Sequence, residues 1–310
     1  LNNDHSTFCI AASKEGFEDY GPDDNRNFIE LTEDDKRRLR EGEPVKNIIK
    51  DADKYNLFVH HFHNYHLNLE GLNSRECVWL VGLNEQVHPG IENLLLYSRQ
   101  YQAPIITNPK TNIYDVRIGI MLPNFQVHKK HDFIFSIHRH WDRFQSIEVA
   151  KWALKNKVKT IFAGPCNKDY PLQDYVDKKY VHFLGQIPEQ VKVEYLQAAR
   201  LTTLIHNWAT PASLSAIEAL AYGTPVACNM NKGFWPTLIQ DGINGFHIDC
   251  QRNQILEHVY EAKFNESLDR AWTLSPLINQ LTCWGSVNRF DSQKMLRSFS
   301  DSFYQILNIK

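Results

Sequence analysis

The sequence lacks several features that mark membrane, secreted, cysteine-pair and repeat proteins. No apolar run approaches the length of a membrane span, and residues 1–30 contain neither the basic nor the apolar segment of a secretory signal. The six cysteines are scattered, and none forms a Cys-x-x-Cys pair, which is typical of reduced, buried thiols. Internal repeats and low-complexity tracts are also absent. We therefore expect a cytoplasmic protein without an integral membrane segment.

Length and composition allow two domains of ordinary size. The chain has 310 residues, of which 43% are hydrophobic, so two cores can be buried. The formal net charge is −2, with acidic and basic residues mixed along the chain, and this balance argues against disorder.

Strands and helices alternate along the chain, which favours mostly parallel sheets. In the first half we predict strands at 7–12, 56–61, 77–81 and 104–107, a helix that begins at Thr32, and a helix at 90–101. In the second half we predict strands at 133–137, 159–163, 181–184 and 201–205, with helices at 145–156, 189–199 and 291–307. The segment 121–130 contains Pro123 and is interpreted as the linker between the halves.

The segment from Thr210 to Ala227 predicts a loop, a helix and a strand. Ser213 or Ser215 is suited to cap the start of the helix, and Gly223 followed by Pro225 ends it. The N-terminus of such a helix presents unpaired backbone N–H groups, where a diphosphate could bind. The alternative is a helix whose small residues only permit close packing in an α/β core.

The order of residues here resembles the nucleotide-sugar signature of the family 4 retaining glycosyltransferases. The match covers Glu218 to Val226, and two departures precede it: Thr210 stands where the family has a glutamate, and Ala212-Ser213 replaces Phe-Gly. The resemblance extends over roughly the last 180 residues. It implies the GT-B fold, an α/β architecture of two Rossmann-like domains whose parallel sheets face a central cleft. The implied divisions are an acceptor domain at 1–122, a donor domain at 123–290 and a crossing-back helix at 291–310.

The same resemblance implies the activity. The protein would transfer a hexose or pentose from a nucleotide sugar, most often UDP- or GDP-linked, with retention of anomeric configuration. No further cofactor is implied, and no Asp-x-Asp motif follows a strand, so transfer is expected to be independent of metal. Two alternatives stay open: a catalytically degenerate GT-B scaffold, which the Thr210 departure favours, and a nucleotide-sugar epimerase.

Candidate site residues follow from the resemblance position by position. Arg139 and Arg143 come after the strand at 133–137, where the family has cations that neutralise the donor diphosphate, although Phe144 replaces a common glycine. The resemblance also implies that the amides near Ser213 and Leu214 bind the diphosphate and that Glu218 binds the ribose. Gly164, Gly185 and Gln186 would border the nucleoside. Thr210 would approach the sugar, and His61 would face the reacting carbon.

The first half is the least informative about function. Its histidine run, residues 60–66, could suggest zinc, but no cysteine or glutamate lies at ligand spacing. The family resemblance implies His61 instead, with His60 and His63 as near alternatives, and a structural role in the loop stays open for each histidine. The glycine-rich loop expected after the first strand is missing. The acceptor is therefore open and could be a glycan, a protein, a lipid or a nucleic acid. A basic excess at 129–159 could face an anionic acceptor, although surface charge on a solvated helix face is the ordinary explanation and the one we favour.

Overall fold

The structure is a computed structural model that describes residues 7–11, 29–30, 32–50, 52–54, 57–60, 66–80, 86–96, 105–141, 144–177, 179–206, 213–229, 235–249 and 257–307. The chain divides into two compact units, one formed by residues 1–118 and 294–310 and the other by residues 119–293. Within the described residues, no helix has the length and apolar character needed to cross a membrane.

The first unit contains a six-stranded parallel sheet of order β2-β1-β3-β4-β6-β8 and a separate pair of strands, β5 and β7. Helix α1, Glu33–Arg40, begins as predicted after Thr32, whose hydroxyl caps the backbone N–H of Asp35. The strands are β1 Thr7–Ala11, β2 Ile29–Glu30, β3 Leu57–His60, β4 Arg75–Leu80, β5 Gln86–Val87, β6 Asn93–Leu96, β7 Ile105–Ile106 and β8 Asn112–Asp115.

The helix predicted at 90–101 is wrong. Residues Asn93–Leu96 form strand β6 between β4 and β8, and all four side chains are buried. A short apolar run in a sheet covered on both faces has no alternation to distinguish it from a buried helix. The amide of Asn93 donates to the carbonyl of Glu76, 2.9 Å away on β4, which satisfies the polar group in this run.

The second unit contains a six-stranded parallel sheet of order β11-β10-β9-β12-β13-β14. Counted from β9, this order is 3-2-1-4-5-6, the doubly wound arrangement of nucleotide-binding sheets. Its strands are β9 His131–Ile137, β10 Lys159–Ala163, β11 Val181–Phe183, β12 Ala199–Leu204, β13 Val226–Asn229 and β14 Gly245–Ile248. Its helices are α2 Ser146–Asn156, α3 Glu189–Ala198, α4 Leu214–Ala221, α5 Trp235–Leu238, α6 Glu257–Leu274 and α7 Gln280–Ser286.

Helices cover both faces of this second sheet. Alternate residues of a strand point to opposite faces, so Ile134 and Phe135 on β9 contact different layers. Ile134 belongs to a buried cluster that includes Trp152 of α2 and Phe264 of α6. Phe135 stacks instead on Tyr195 of α3, with ring centroids 5.1 Å apart. Helices α2 and α6 therefore lie on one face of the sheet, and α3 lies on the other.

The C-terminal helix α8, Ser292–Leu307, packs on the first unit. Its apolar residues Phe299, Phe303 and Ile306 contact a cluster that contains Leu57 of β3 and Cys77 of β4. The helical spacing of these apolar residues predicted a helix at 291–307, and the structure confirms it.

Lys130 connects the segment before β9 to the ends of two helices. Its Nζ atom donates to the carbonyl of Gln197 at 2.8 Å, to the carbonyl of Tyr222 at 3.1 Å and to the hydroxyl of Thr224 at 2.6 Å. These acceptors lie at the C-termini of α3 and α4, where carbonyls without intrahelical partners favour a cation. Burial nevertheless lowers the pKa of Lys130 to about 7.

The first prediction concerns this lysine. A Lys pKa of about 7 in the folded protein, against 10.5 for an ordinary lysine, means that the unfolded chain binds more protons between these pH values. The folded state should therefore gain stability as pH rises from 7 to 9, by at most about 1.4 kcal/mol per pH unit. Urea unfolding of the wild type and Lys130→Met across this range measures the effect, because the variant lacks the contribution. If the difference in unfolding free energy between the two proteins does not change with pH, Lys130 stays charged in the folded state.

Candidate functional site

The carboxyl ends of β9 and β12 form the point where the order of the second sheet reverses. Strand β9 leads through α2 to β10 on one side, whereas β12 leads to β13 on the other. In a doubly wound sheet the crevice for ligands opens beyond the strand ends at such a point. The segments that follow β9, β10, β11 and β12 at this edge supply the candidate site.

Backbone hydrogen bonds hold the first three of these segments together. The N–H of His138 donates to the carbonyl of Ala163 at 3.2 Å, and the N–H of His140 donates to Pro165 at 2.7 Å. The N–H of Gly164 donates to the carbonyl of Gly185 at 2.7 Å. Gly164 has a φ of +117°, and a Cβ atom there would lie 2.1 Å from the carbonyl oxygen of His138. Only glycine allows this close approach of two backbones.

A cavity of about 720 Å³ opens beside these segments. Three of the residues predicted to border a nucleoside, Gly164, Gly185 and Gln186, lie in its wall. Polar and aromatic side chains that the sequence did not single out complete the lining. They include Asn167, Lys168, Asp169, Tyr170 and Phe183.

His140 is a buried neutral histidine of this edge that sequence reasoning missed. Its Nε2 atom lies 3.0 Å from the carbonyl of Ala163, and its Nδ1 atom lies 2.8 Å from the hydroxyl of Ser146. A carbonyl only accepts, so Nε2 carries the proton and Ser146 donates to Nδ1. Burial lowers the pKa of His140 to about 4. The imidazole therefore fixes the start of α2 to the end of β10 without adding charge.

His138, two residues before His140, contacts an aromatic side chain. Its ring stacks on Phe144 with centroids 4.0 Å apart and planes 13° apart, and its Nδ1 lies 3.0 Å from the carbonyl of Arg139. Burial lowers the pKa of His138 well below its usual range, and His140 beside it adds to the shift. Phe144, noted in the sequence only as a replacement for glycine, forms an isolated antiparallel bridge with His206, which follows β12, and the two ring centroids lie 5.5 Å apart.

Arg139 projects from this rigid segment toward solvent. Its side chain is exposed, and its guanidinium lies 5.9 Å from the centre of the Trp141 ring. Its neighbours His138 and His140 are neutral, so Arg139 supplies the positive charge of residues 138–140. Arg143 lies outside the described residues.

Helix α4 begins at the same edge. Ser213 is its N-cap, and the Ser213 hydroxyl accepts from the backbone N–H of Ala216 at 3.3 Å, which confirms the predicted cap. The side chain of Leu214 at the first helical position is 47% exposed. The N–H groups of this first turn precede the first intrahelical bond, so the helix presents its positive end here.

Glu218 lies one turn into α4 and forms an ion pair with Lys192 of α3. The Lys192 ammonium lies 3.1 Å from each carboxylate oxygen of Glu218, and the two side chains are 16% and 20% exposed. Burial raises the pKa of Glu218, and the positive charge of Lys192 limits the rise. Lys192 was not predicted, because its partner is 26 residues away and no local motif links the two.

Two other predicted site residues, His61 and Thr210, lie outside the described residues, as does Arg143. Among the described side chains, no group of three or more His, Cys, Asp or Glu residues is placed to hold a metal ion. The four cysteines whose side chains the structure describes are free thiols. They are Cys77, Cys166, Cys228 and Cys283.

One family model matches the part of the chain that contains the residues of the candidate site. The family model of glycosyl transferases group 1 matches residues 127–273, which contain the whole candidate site described above. No curated protein sequence matches the chain.

Solved structures share the fold at low sequence identity. AviGT4, a glycosyltransferase involved in avilamycin A biosynthesis, has a TM-score of 0.64 and 14% identity, over 94% of this chain and 84% of that protein. The lipopolysaccharide outer core galactosyltransferase WaaB has a TM-score of 0.61 and 13% identity, over 90% and 83%. HepE from Anabaena, solved with UDP and glucose, has a TM-score of 0.59 and 14% identity, over 84% and 81%. The chain thus has the GT-B fold, and residues 127–273 of its second unit match the family model of glycosyl transferases group 1.

The second prediction tests the close backbone contact at Gly164. Gly164→Ala would place a methyl group against the His138 carbonyl and strain a φ of +117°, so we expect a loss of about 3 kcal/mol or more in unfolding free energy. Gly185→Ala is the matched control, since its φ of +67° is in the left-handed region and no atom lies within 4 Å of the added Cβ. It should cost about 1 kcal/mol. Equal losses in urea unfolding would contradict the contact.

Proposed function

We propose that this protein is a glycosyltransferase that moves a sugar from a nucleotide-sugar donor to an acceptor with retention of anomeric configuration. The observation that carries the proposal is the convergence of three features at one edge of the second sheet. They are the cavity beside Gly164 and Gly185, the positive end of α4 at Ser213, and the exposed cation Arg139.

These three features, together with Glu218, suit the base, the ribose and the diphosphate of a nucleoside diphosphate. The cavity of about 720 Å³ is large enough for a base, and its polar and aromatic lining suits one. Glu218 would accept hydrogen bonds from the ribose hydroxyls. The amides at the start of α4 and the guanidinium of Arg139 would bind the diphosphate.

The same groups account for the chemistry of transfer. Breaking the bond between the sugar C1 atom and the phosphate oxygen leaves negative charge on the diphosphate, and fixed positive groups stabilise that charge. Arg139, with Arg143 and the α4 amides, would supply this stabilisation without a metal ion. The acceptor oxygen then bonds to C1 on the face that the phosphate leaves, and its proton passes to a phosphate oxygen. No protein nucleophile is needed for retention by this route, and His61 would face the reacting carbon.

A donor assay tests the proposal. UDP- and GDP-linked sugars are first screened for an increase in Tm, because a ligand that binds only the folded state raises it by mass action. The stabilising donor is then incubated with the protein, and products are separated. Slow release of nucleoside diphosphate supports a transferase. An isomerised donor would instead indicate an epimerase, and stabilisation without any product would indicate a degenerate scaffold.

The third prediction concerns Arg139. Arg139→Ala should weaken nucleoside diphosphate binding by about 1.5 to 3 kcal/mol, the range for a hydrogen bond to a charged group. Calorimetry with UDP or GDP measures the change. Lys155→Ala is the control, because Lys155 is an exposed cation on the last turn of α2 and its loss should leave affinity unchanged. Equal affinities for Arg139→Ala and the wild type would remove Arg139 from the diphosphate site.

The fourth prediction uses the departure at Thr210. A threonine offers one hydroxyl where the resembled family has a carboxylate, so a donor that lacks one sugar hydroxyl leaves no buried charge unpaired. We expect weak discrimination among hexoses, or a preference for a deoxy sugar or a pentose. This discrimination is measured by the relative kcat/KM values of the nucleotide-linked glucose donor and its 3-deoxy and 4-deoxy analogues. A preference for glucose of several thousandfold, about 5 kcal/mol, would show that another residue replaces the carboxylate.

A further inference from the structure

Lys192 is the side chain that most directly controls Glu218. Its ammonium is surrounded by three carboxylate oxygens: both oxygens of Glu218 at 3.1 Å and one oxygen of Glu189 at 2.7 Å. The Lys192 side chain is 16% exposed, whereas Glu189 is 73% exposed. Solvent therefore screens the contact with Glu189 far more than the contact with Glu218.

The position of this pair in the fold relates it to the cavity. Lys192 lies in the first turn of α3, which begins at Glu189 three residues after the cavity residue Gln186. Glu218 lies on α4, one turn after the helix start that presents its positive end. The pair thus joins the two helices whose first turns flank the predicted path from base to diphosphate.

We propose that Lys192 is a positioning residue of the donor site, which keeps the Glu218 carboxylate ionised and oriented to accept hydrogen bonds from both ribose hydroxyls. This inference rests on the proposed function. An ionised carboxylate has about four lone-pair sites. Two contacts with the ammonium leave the remaining sites for a pair of hydroxyls. A protonated Glu218 would lose acceptor capacity and present a donor where the ribose also donates.

The other titratable groups near Glu218 do not replace Lys192. On α3, Glu189 is negative and raises the pKa of Glu218 further. On α4 itself, Tyr222 is held neutral, since burial first and the two glutamates next raise its pKa. On α7, which packs against α4, burial raises the pKa of the Cys283 thiol to about 12. Lys130, at the far end of α4, binds the carbonyl of Tyr222 instead.

The test compares nucleotide binding with binding of a ligand that lacks ribose. Calorimetry is performed at pH 5.5 and pH 8 with inorganic pyrophosphate and with UDP, or with GDP if the wild type binds it better. In Lys192→Met we expect nucleotide affinity to fall about tenfold at pH 5.5 and less at pH 8, because the unassisted Glu218 takes up a proton more readily. Pyrophosphate affinity should change less than about twofold, since it makes no ribose contact.

Matched variants separate this role from a structural one. Lys192→Arg keeps the charge and should restore the wild-type pH dependence. Glu189→Gln removes the exposed partner and should leave nucleotide affinity within about twofold. Glu218→Gln should bind weakly at both pH values, and adding Lys192→Met to it should cause no further loss, because the lysine acts through Glu218. If Lys192→Met does not fold, Lys192→Gln takes its place.

Three results would overturn the inference. A Lys192→Met protein with wild-type nucleotide affinity at both pH values would show that the lysine has no role in the donor site. Equal losses for nucleotide and pyrophosphate would show that the lysine acts on phosphate and not through Glu218. A wild type that binds neither nucleotide would overturn the proposed function as well, so failure of the function and failure of this inference are distinguishable.

Discussion

The rest of the second unit depends on the close approach of the backbones at Gly164 and His138. Parallel strands end at one edge of the sheet, and the contact involves the first residue after β9, His138, and the first residue after β10, Gly164. Because Gly164 has no Cβ, its N–H reaches the carbonyl of Gly185 and its Cα lies against the carbonyl of His138. The segment after β9 is thereby fixed against the wall of the cavity. A larger residue would separate the elements that the proposed donor must contact together.

Fixing this edge with neutral groups has an electrostatic consequence. His138 and His140 would add positive charge if they were protonated, but burial keeps both neutral, and their ring nitrogens are used within the protein. The positive potential that a diphosphate would meet then comes from the charged guanidinium of Arg139 and the peptide dipoles of α4. The two histidines hold the segment in place through their hydrogen bonds, and Arg139 and the α4 dipole provide the positive charge.

The sequence predicted those parts of the fold that short-range patterns determine. Strand β10 occupies the predicted residues 159–163, and the N-cap of α4 is Ser213, one of the two serines predicted for it. The leucine run in β6 was misread as helical, because a strand buried on both faces has no period of two. The 18-residue helix α6 was not predicted, although its buried residues Tyr260, Phe264, Leu268 and Ala271 recur at helical spacing, so the sequence does carry its signal. Pairs such as Lys192 and Glu218 join separate helices, so no local spacing could reveal them.

The Lys192 contact also bears on the departure at Thr210. In the resembled family the donor site has two glutamates, and here one of the two positions is neutral while the other carboxylate is paired with a lysine. Both features would reduce the negative charge near a bound diphosphate. A site with less negative charge needs less positive charge to hold the same anion. In the proposed site, Arg139, Arg143 and the α4 amides would therefore act against a smaller opposing field than they would beside two unpaired carboxylates.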